Sequence, residues 1–173
     1  MGQPQALSVV SEHLPLRDEV ATRRLGAALA RHCPWSRLSA CCVFLSGELG
    51  AGKTTLIAAL LTASGVRESV RSPTYSLVEV YAFGAHVGVH LDLYRLHGAE
   101  ELEQLGLRDY LHPGALLLVE WPERAAEKLP RPDLWLHLSP HGAGRCCRLE
   151  AHTAIGKDWL AALGSALDRS EEA

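Results

Sequence analysis

The chain has 173 residues, 47% of them apolar and 21% charged, with a formal net charge of −3. That is the balance of a globular protein with a real core, not of a disordered one, and the length suits one domain rather than two. No polybasic segment occurs, so tight nucleic-acid binding through many phosphate contacts is not expected, and no run approaches the length of a membrane helix. In chain order, Leu7–Leu14 is a candidate short strand. Asp18 is placed as an N-cap for an amphipathic helix over Glu19–Ala30, which Cys33-Pro34 ends. Cys41–Ser46 is an apolar strand, and Leu56–Leu61 is helix-forming. Tyr75–Phe83 and His86–Leu96 flank Gly84 as an antiparallel hairpin. Glu100–Leu111 suits one or two short helices, and Ala115–Glu120 a central strand buried on both faces. Leu134–Leu138 and Arg145–Ala151 suit a further hairpin, Lys157–Leu167 a closing helix and Arg169–Ala173 a frayed tail.

Between the strand at Cys41–Ser46 and the helix after it lie Gly47, Glu48, Leu49, Gly50, Ala51, Gly52, Lys53 and Thr54, followed by Thr55. This is the phosphate-binding pattern G-x-x-x-x-G-K-[ST] in its required strand–loop–helix setting. The glycines let the backbone approach an anion closely, and the N–H groups of the loop and helix start converge on it. Lys53 can reach the β- and γ-phosphates, and the Thr54 hydroxyl can ligate Mg2+. The competing reading is an ordinary glycine-rich turn.

Such a loop usually works with an acid at the end of a neighbouring strand. Glu120 closes the run Leu116–Val119 and is placed for that task, as a Mg2+ holder or a water-polarising group; otherwise it is a solvent-facing acid. Asp92, among apolar neighbours in His90–Leu96, is either a second functional carboxylate or a solvent-facing strand residue. Thr74, after Ser72-Pro73, is a turn residue or a switch that senses Mg2+ or γ-phosphate. Trp121 could pack near the site, on a partner or in the core. Arg124 could contact phosphate or cap the short helix after it, and Arg95 and Arg124 are the candidates for an arginine finger. The five cysteines, at 33, 41, 42, 146 and 147, form no C-x-x-C pair. Their odd number suits a reducing compartment, and no spacing supports zinc binding with some of the nine histidines. With no signal-peptide or myristoylation pattern at the start, a cytoplasmic location is expected.

Taken together, these segments resemble the TsaE family, the small P-loop ATPases of bacterial tRNA threonylcarbamoyladenosine biosynthesis. The likeness rests on Gly47–Thr55, Ser72–Tyr75, His90–Leu96, Leu105–Leu107 with Tyr110-Leu111, and Val119–Arg124, and spans about residues 7–151. Asp-Leu-Tyr-Arg-Leu and Glu-Trp-Pro-Glu are its more specific parts. The resemblance implies ATP as the nucleotide, with Lys53 and Thr54 on phosphate and Mg2+. It implies Thr74 as a switch-like residue, Asp92 as a catalytic or metal-organising carboxylate, Glu120 as the Mg2+-side acid and Trp121 as a functional neighbour. It also implies a TsaB–TsaD heterodimer as partner, in which TsaD transfers threonylcarbamoyl to adenosine 37 of tRNAs reading codons that start with A. ATP hydrolysis would reset that pair, and tRNA would be met only through the complex. Gly156–Ala173 matches nothing specific in the family, and the Tyr81–Val89 turn region is expected to differ locally.

The expectation is therefore one α/β P-loop NTPase domain over residues 1–173, with its core at about 7–168. Its sheet is mixed and mainly parallel with an antiparallel hairpin insertion, and helices lie on both faces. The activity expected is Mg2+-dependent ATP hydrolysis, weak without the partner because no arginine finger is obvious. The rivals are a small-molecule kinase, for which no arginine-rich lid is visible, and a nucleotide-sensing module without turnover.

Overall fold

The computed structural model describes residues 10–35 and 39–171. Seven strands form one sheet: β1 (Val10–Leu16), β2 (Cys41–Ser46), β3 (Val78–Phe83), β4 (His86–Asp92), β5 (Ala115–Glu120), β6 (Leu134–His141) and β7 (Gly144–Ala151). Four helices accompany them: α1 (Glu19–Arg31), α2 (Lys53–Ser64), α3 (Ala99–Gln104) and α4 (Ala154–Glu171). Short 3-10 turns cover Leu107–Tyr110 and Pro122–Arg124.

The strand order is β1-β7-β6-β2-β5-β4-β3. β6, β2, β5 and β4 are mutually parallel, β3 at one edge and β7 beside β6 run against them, and the edge strand β1, antiparallel to β7, returns to the direction of the parallel strands. The hairpin at Gly84 therefore contributes one strand to the parallel core and one to the edge. Its strands are shorter than the sequence suggested, since residues 72–77 form a loop over the sheet end and β4 stops at Asp92.

Apolar burial divides between two faces. Leu25 and Leu29 of α1, Leu56 and Leu60 of α2, and Trp159 and Leu163 of α4 pack on one. Leu102 of α3, Leu107 and Ala125 pack on the other. Alternation along β2 sends Cys41 to the first core and Cys42 to the second, as adjacent strand residues must. The α1–α2 contact is close because Gly26 has no side chain; a Cβ there would lie 2.9 Å from Cβ of Ala59.

Asp18 caps α1, its carboxylate accepting from the Ala21 N–H at 2.7 Å. The strand expected from Leu7 begins at Val10, and residues 7–9 lie outside the described part. The turn between β3 and β4 is two residues, Gly84-Ala85, with Gly84 at φ +57°. α4 starts earlier than expected and runs to Glu171, so Arg169–Glu171 belong to a helix and not to a tail. Its Trp159 is buried and donates its indole N–H to the Leu29 carbonyl at 3.1 Å, which makes the segment after Gly156 part of the first core.

The parallel run of β2, β5 and β4 has one consequence for function. It brings the carboxyl ends of these strands, Ser46, Glu120 and Asp92, to the same edge of the sheet, where α2 begins.

Candidate nucleotide site

The loop between β2 and α2 turns through three glycines in the left-handed half of backbone space, Gly47 at φ +141°, Gly50 at +79° and Gly52 at +99°. Gly47 has a second constraint, because a Cβ there would run into the Leu138 carbonyl of β6. Gly52 is the N-cap of α2 and supplies no side-chain hydrogen bond, which leaves the N–H groups of the first turn for an anion. Lys53 folds back over the loop, donating to the carbonyls of Gly47 at 2.7 Å and Glu48 at 3.0 Å. Glu48 and Leu49 are exposed at the tip, and Ala51 closes it through its N–H to the Glu48 carbonyl at 3.1 Å.

Glu120 ends β5 and is 3% exposed. Its Oε1 accepts from the Thr54 hydroxyl at 2.8 Å and lies 2.9 Å from Nε2 of His90. Asp92 ends β4, opposite Glu120 in the strand register, and is 5% exposed. Its carboxylate accepts from the Tyr94 N–H at 3.0 Å and from the Ser72 hydroxyl, and Ser72 shares a 2.8 Å hydrogen bond with the Thr74 hydroxyl. The Asp92 N–H donates to the Leu77 carbonyl at 3.1 Å, so the loop from Ser72 to Leu77 is tied at both ends to one residue. Thr74 thus reaches Asp92 through Ser72.

Trp121 adopts a left-handed conformation at φ +57°, unusual for a bulky residue, and its N–H donates to the Leu45 carbonyl at 3.2 Å. The strained turn directs its ring over Lys53, whose Nζ is 4.0 Å from the ring centroid, and against Tyr94 at 5.0 Å. Arg95 lies over the exposed Tyr75 ring at 4.6 Å, and Arg124 over Tyr94 at 5.8 Å. Together these parts enclose a cleft of about 400 Å³ whose lining includes Gly50, Gly52, Lys53, Thr54, Thr55, Thr74, Asp92, Arg95, Glu120 and Trp121. Arg124 is not in that lining.

Burial pushes the Lys53 ammonium below its usual range, and the carboxylates of Glu120, Asp92 and Glu123 pull it back. The lysine is thus the cation facing a cluster of acids. Among the described residues no group of three or more His, Cys, Asp or Glu side chains could hold a metal alone. The Thr54 hydroxyl and the Glu120 carboxylate instead offer hard oxygens next to an anion-binding loop, the donor set that suits Mg2+ shared with phosphate.

Of the loop candidates, Leu49, Gly50, Gly52, Lys53, Thr54 and Thr55 line this cleft together with Thr74, Asp92 and Glu120, whereas Gly47, Glu48 and Ala51 do not. Asp92 ends β4 beside Glu120 and is buried, so it is not a solvent-facing strand residue. Two partners were missed. Ser72 links Thr74 to Asp92, and His90 underlies Glu120. The spacing of His90 and Asp92 could have revealed the histidine, since residues two apart on a strand share a face.

A family model, Threonylcarbamoyl adenosine biosynthesis protein TsaE, matches residues 16–147. A protein of Haemophilus influenzae named tRNA threonylcarbamoyladenosine biosynthesis protein TsaE is 41% identical over 123 residues, covering 71% of this chain and 78% of its own length. A Streptomyces coelicolor protein of the same name is 38% identical over 147 residues, covering 81% and 95%. The crystal structure of YdiB from Bacillus subtilis superposes with a TM-score of 0.72 at 22% identity, over 92% of this chain and 96% of that one, and supports the fold.

Proposed function

This chain belongs to the TsaE family, and from that premise we propose that it is a Mg2+-dependent ATPase required for threonylcarbamoyladenosine modification of tRNA at adenosine 37. In this reading it binds the TsaB–TsaD heterodimer and resets it by hydrolysing ATP, meeting tRNA only through that complex. The observation that carries the proposal is the Thr54–Glu120 hydrogen bond of 2.8 Å at the mouth of a phosphate loop, with Asp92 in register beside it.

The loop N–H groups and the Lys53 ammonium bind the β- and γ-phosphates, exchanging the lysine's bonds to the Gly47 and Glu48 carbonyls for charge-assisted ones. Thr54 and Glu120 are the residues that would hold Mg2+, which supplies neutralisation of the phosphate charge when bound. Asp92, held by Ser72 and the Tyr94 N–H, orients the attacking water and accepts its proton. Thr74 closes its loop over the γ-phosphate and reports its presence to Asp92 through Ser72. The ring of Trp121 covers Lys53 and keeps water from it.

Arg95, which lines the cleft, is engaged with Tyr75, and Arg124, which does not, is engaged with Tyr94. Neither is aimed as an arginine finger, so the isolated chain hydrolyses slowly and a partner accelerates it. The test is phosphate release from ATP by the pure chain in Mg2+, with and without TsaB–TsaD. The expected result is weak release that the heterodimer stimulates. Transfer of the phosphoryl group to a small-molecule acceptor would replace this reading with a kinase. Tight nucleotide binding without turnover in either condition would replace it with a sensing module.

A further inference from the structure

Beneath Glu120 lies a histidine that the mechanism above leaves unused. His90 is wholly buried on β4, two residues before Asp92 and on the same face of the sheet. Its neighbours Val89 and Leu91 are equally buried and face the opposite core. Nε2 of His90 lies 2.9 Å from Oε1 of Glu120, while Nδ1 is buried with no hydrogen-bond partner. A carboxylate can only accept, so the proton of this contact sits on Nε2 and the ring is the donor. An apolar residue in this place would leave no buried nitrogen unsatisfied, so the cost of the orphaned Nδ1 is offset by what Nε2 does.

What Nε2 does is hold one oxygen of the cation-side carboxylate. Oε1 of Glu120 receives two donors, the imidazole and the Thr54 hydroxyl. The hydroxyl is a rotor on a partly exposed residue at the cleft wall, whereas the imidazole is packed inside the sheet. Only the imidazole can keep the carboxylate plane fixed when Thr54 turns to a ligand.

We propose that His90 is a positioning residue for Mg2+ binding, its Nε2–H orienting Glu120 so that the carboxylate and Thr54 are arranged for the cation before nucleotide arrives. The inference rests on the Mg2+-dependent ATPase reading. His90 itself touches neither phosphate nor cation, and acts through Glu120 alone.

The test uses His90→Leu, which removes the donor, and His90→Gln, which keeps an N–H at a similar reach. Binding of a non-hydrolysable ATP analogue is measured by calorimetry in EDTA and across a Mg2+ titration. His90→Leu should match wild type in EDTA and need 10- to 100-fold more Mg2+ to reach full affinity, with His90→Gln close to wild type. A second readout needs neither nucleotide nor metal: in 15N-histidine NMR of the free protein, His90 should be the Nε2–H tautomer and shift in Glu120→Gln. Wild-type Mg2+ dependence in His90→Leu would overturn the inference, as would equal impairment of the Leu and Gln variants at unchanged melting temperature. Should His90→Leu not fold, the tautomer decides, and an Nδ1–H ring or one indifferent to Glu120→Gln overturns it. Failure of the wild-type protein to bind nucleotide under any condition would remove the ATPase reading and this inference with it. Normal wild-type binding with an unimpaired His90→Leu removes this inference alone.

Discussion

Asp92 and Glu120 stand opposite each other at the carboxyl ends of two adjacent parallel strands, both almost inaccessible, and each is held by its own donors. Ser72 and the Tyr94 N–H serve Asp92, and Thr54 and His90 serve Glu120. Two like charges on neighbouring strands repel each other, and Lys53 relieves this only in part. A pair of this kind costs stability that an apolar or neutral pair would not.

Neutralising either acid therefore separates stability from activity. Glu120→Gln and Asp92→Asn keep size and most hydrogen-bonding capacity while removing one repelling charge. Melting temperature should stay level or rise, while kcat falls by about 100-fold or more and analogue binding changes less. Steady-state phosphate release and thermal melts of the two variants check this. Normal turnover in both would reduce them to structural acids.

Lys53 makes a second pair of expectations. Lys53→Ala should weaken nucleotide binding by about 1.5–3 kcal/mol, roughly 10- to 150-fold in Kd. The depressed ammonium adds a pH dependence. Because burial lowers its pKa from 10.5, the folded protein gives up this proton before the unfolded chain does. Its contribution to stability is full above 10.5 and is lost as pH falls through the lowered folded value. Nucleotide affinity runs the other way, declining as pH rises through that same value, because phosphate needs the charge. Calorimetric titrations at alkaline pH should show the decline in wild type, and Lys53→Arg should not show it.

Much of this site was legible because its signals are local. The loop from Gly47 to Thr54 declares itself by residue type and spacing, Asp18 announces a helix start, and the run ending at Glu120 announces a buried strand. What could not be read was non-local. No spacing along the chain says that β4 is parallel to β5 in a register that sets Asp92 against Glu120. Nor does it say that Ser72 reaches back to Asp92 across a hairpin. The left-handed turn at Trp121 was hidden for another reason, since a bulky residue there defies local preference and is held by the Leu45 carbonyl and the Lys53 contact. Arg169–Ala173 reads as a frayed tail by its place at the chain end, whereas α4 runs on to Glu171.

That turn at Trp121 inverts an ordinary preference. Glycine costs stability relative to alanine in most settings, but at φ +57° it avoids the penalty that any side chain suffers. Trp121→Gly should therefore be more stable than Trp121→Ala by about 1 kcal/mol. Both lose the ring over Lys53 and should lose nucleotide affinity alike. Chemical denaturation of the two variants tests the order, and a more stable alanine variant would show that the turn relaxes without its ring.

A further titration lies away from the cleft. His137 stacks on Trp135 at 5.1 Å, and its Nε2 is 3.2 Å from the Glu150 carboxylate. Arg148 pairs with the same carboxylate; burial, then the Arg148 cation and His152, push the His137 pKa from 6.5 down to about 4, against the pull of Glu123. The unfolded chain takes up this proton first, so stability is full above 6.5 and is lost as pH falls through about 4. Solvent screening at this partly open site leaves a loss on the order of 1–2 kcal/mol when complete. Denaturation midpoints between neutral and acid pH should fall more steeply in wild type than in His137→Gln.

Thr74 stands between the cleft and the exposed Tyr75. Its hydroxyl bonds to Ser72, Ser72 bonds to Asp92, and the exposed Tyr75 follows directly after it. A γ-phosphate drawing on the Thr74 hydroxyl would therefore shift a loop that carries a large exposed ring. On the ATPase reading, TsaB–TsaD should distinguish the ATP-analogue state from the ADP state by about 1–3 kcal/mol. Thr74→Ala removes the hydroxyl without emptying the core, since Thr74 is only partly buried, so the fold should hold. The variant should bind TsaB–TsaD with nearly the same affinity in both nucleotide states and hydrolyse ATP more slowly, and Thr74→Ser should restore both properties. Titrations of the heterodimer with analogue, ADP and no nucleotide measure the difference. Equal binding of wild type in all three states would mean that the loop does not report the γ-phosphate. A Thr74→Ala protein that still discriminates would place the sensor elsewhere in the cleft.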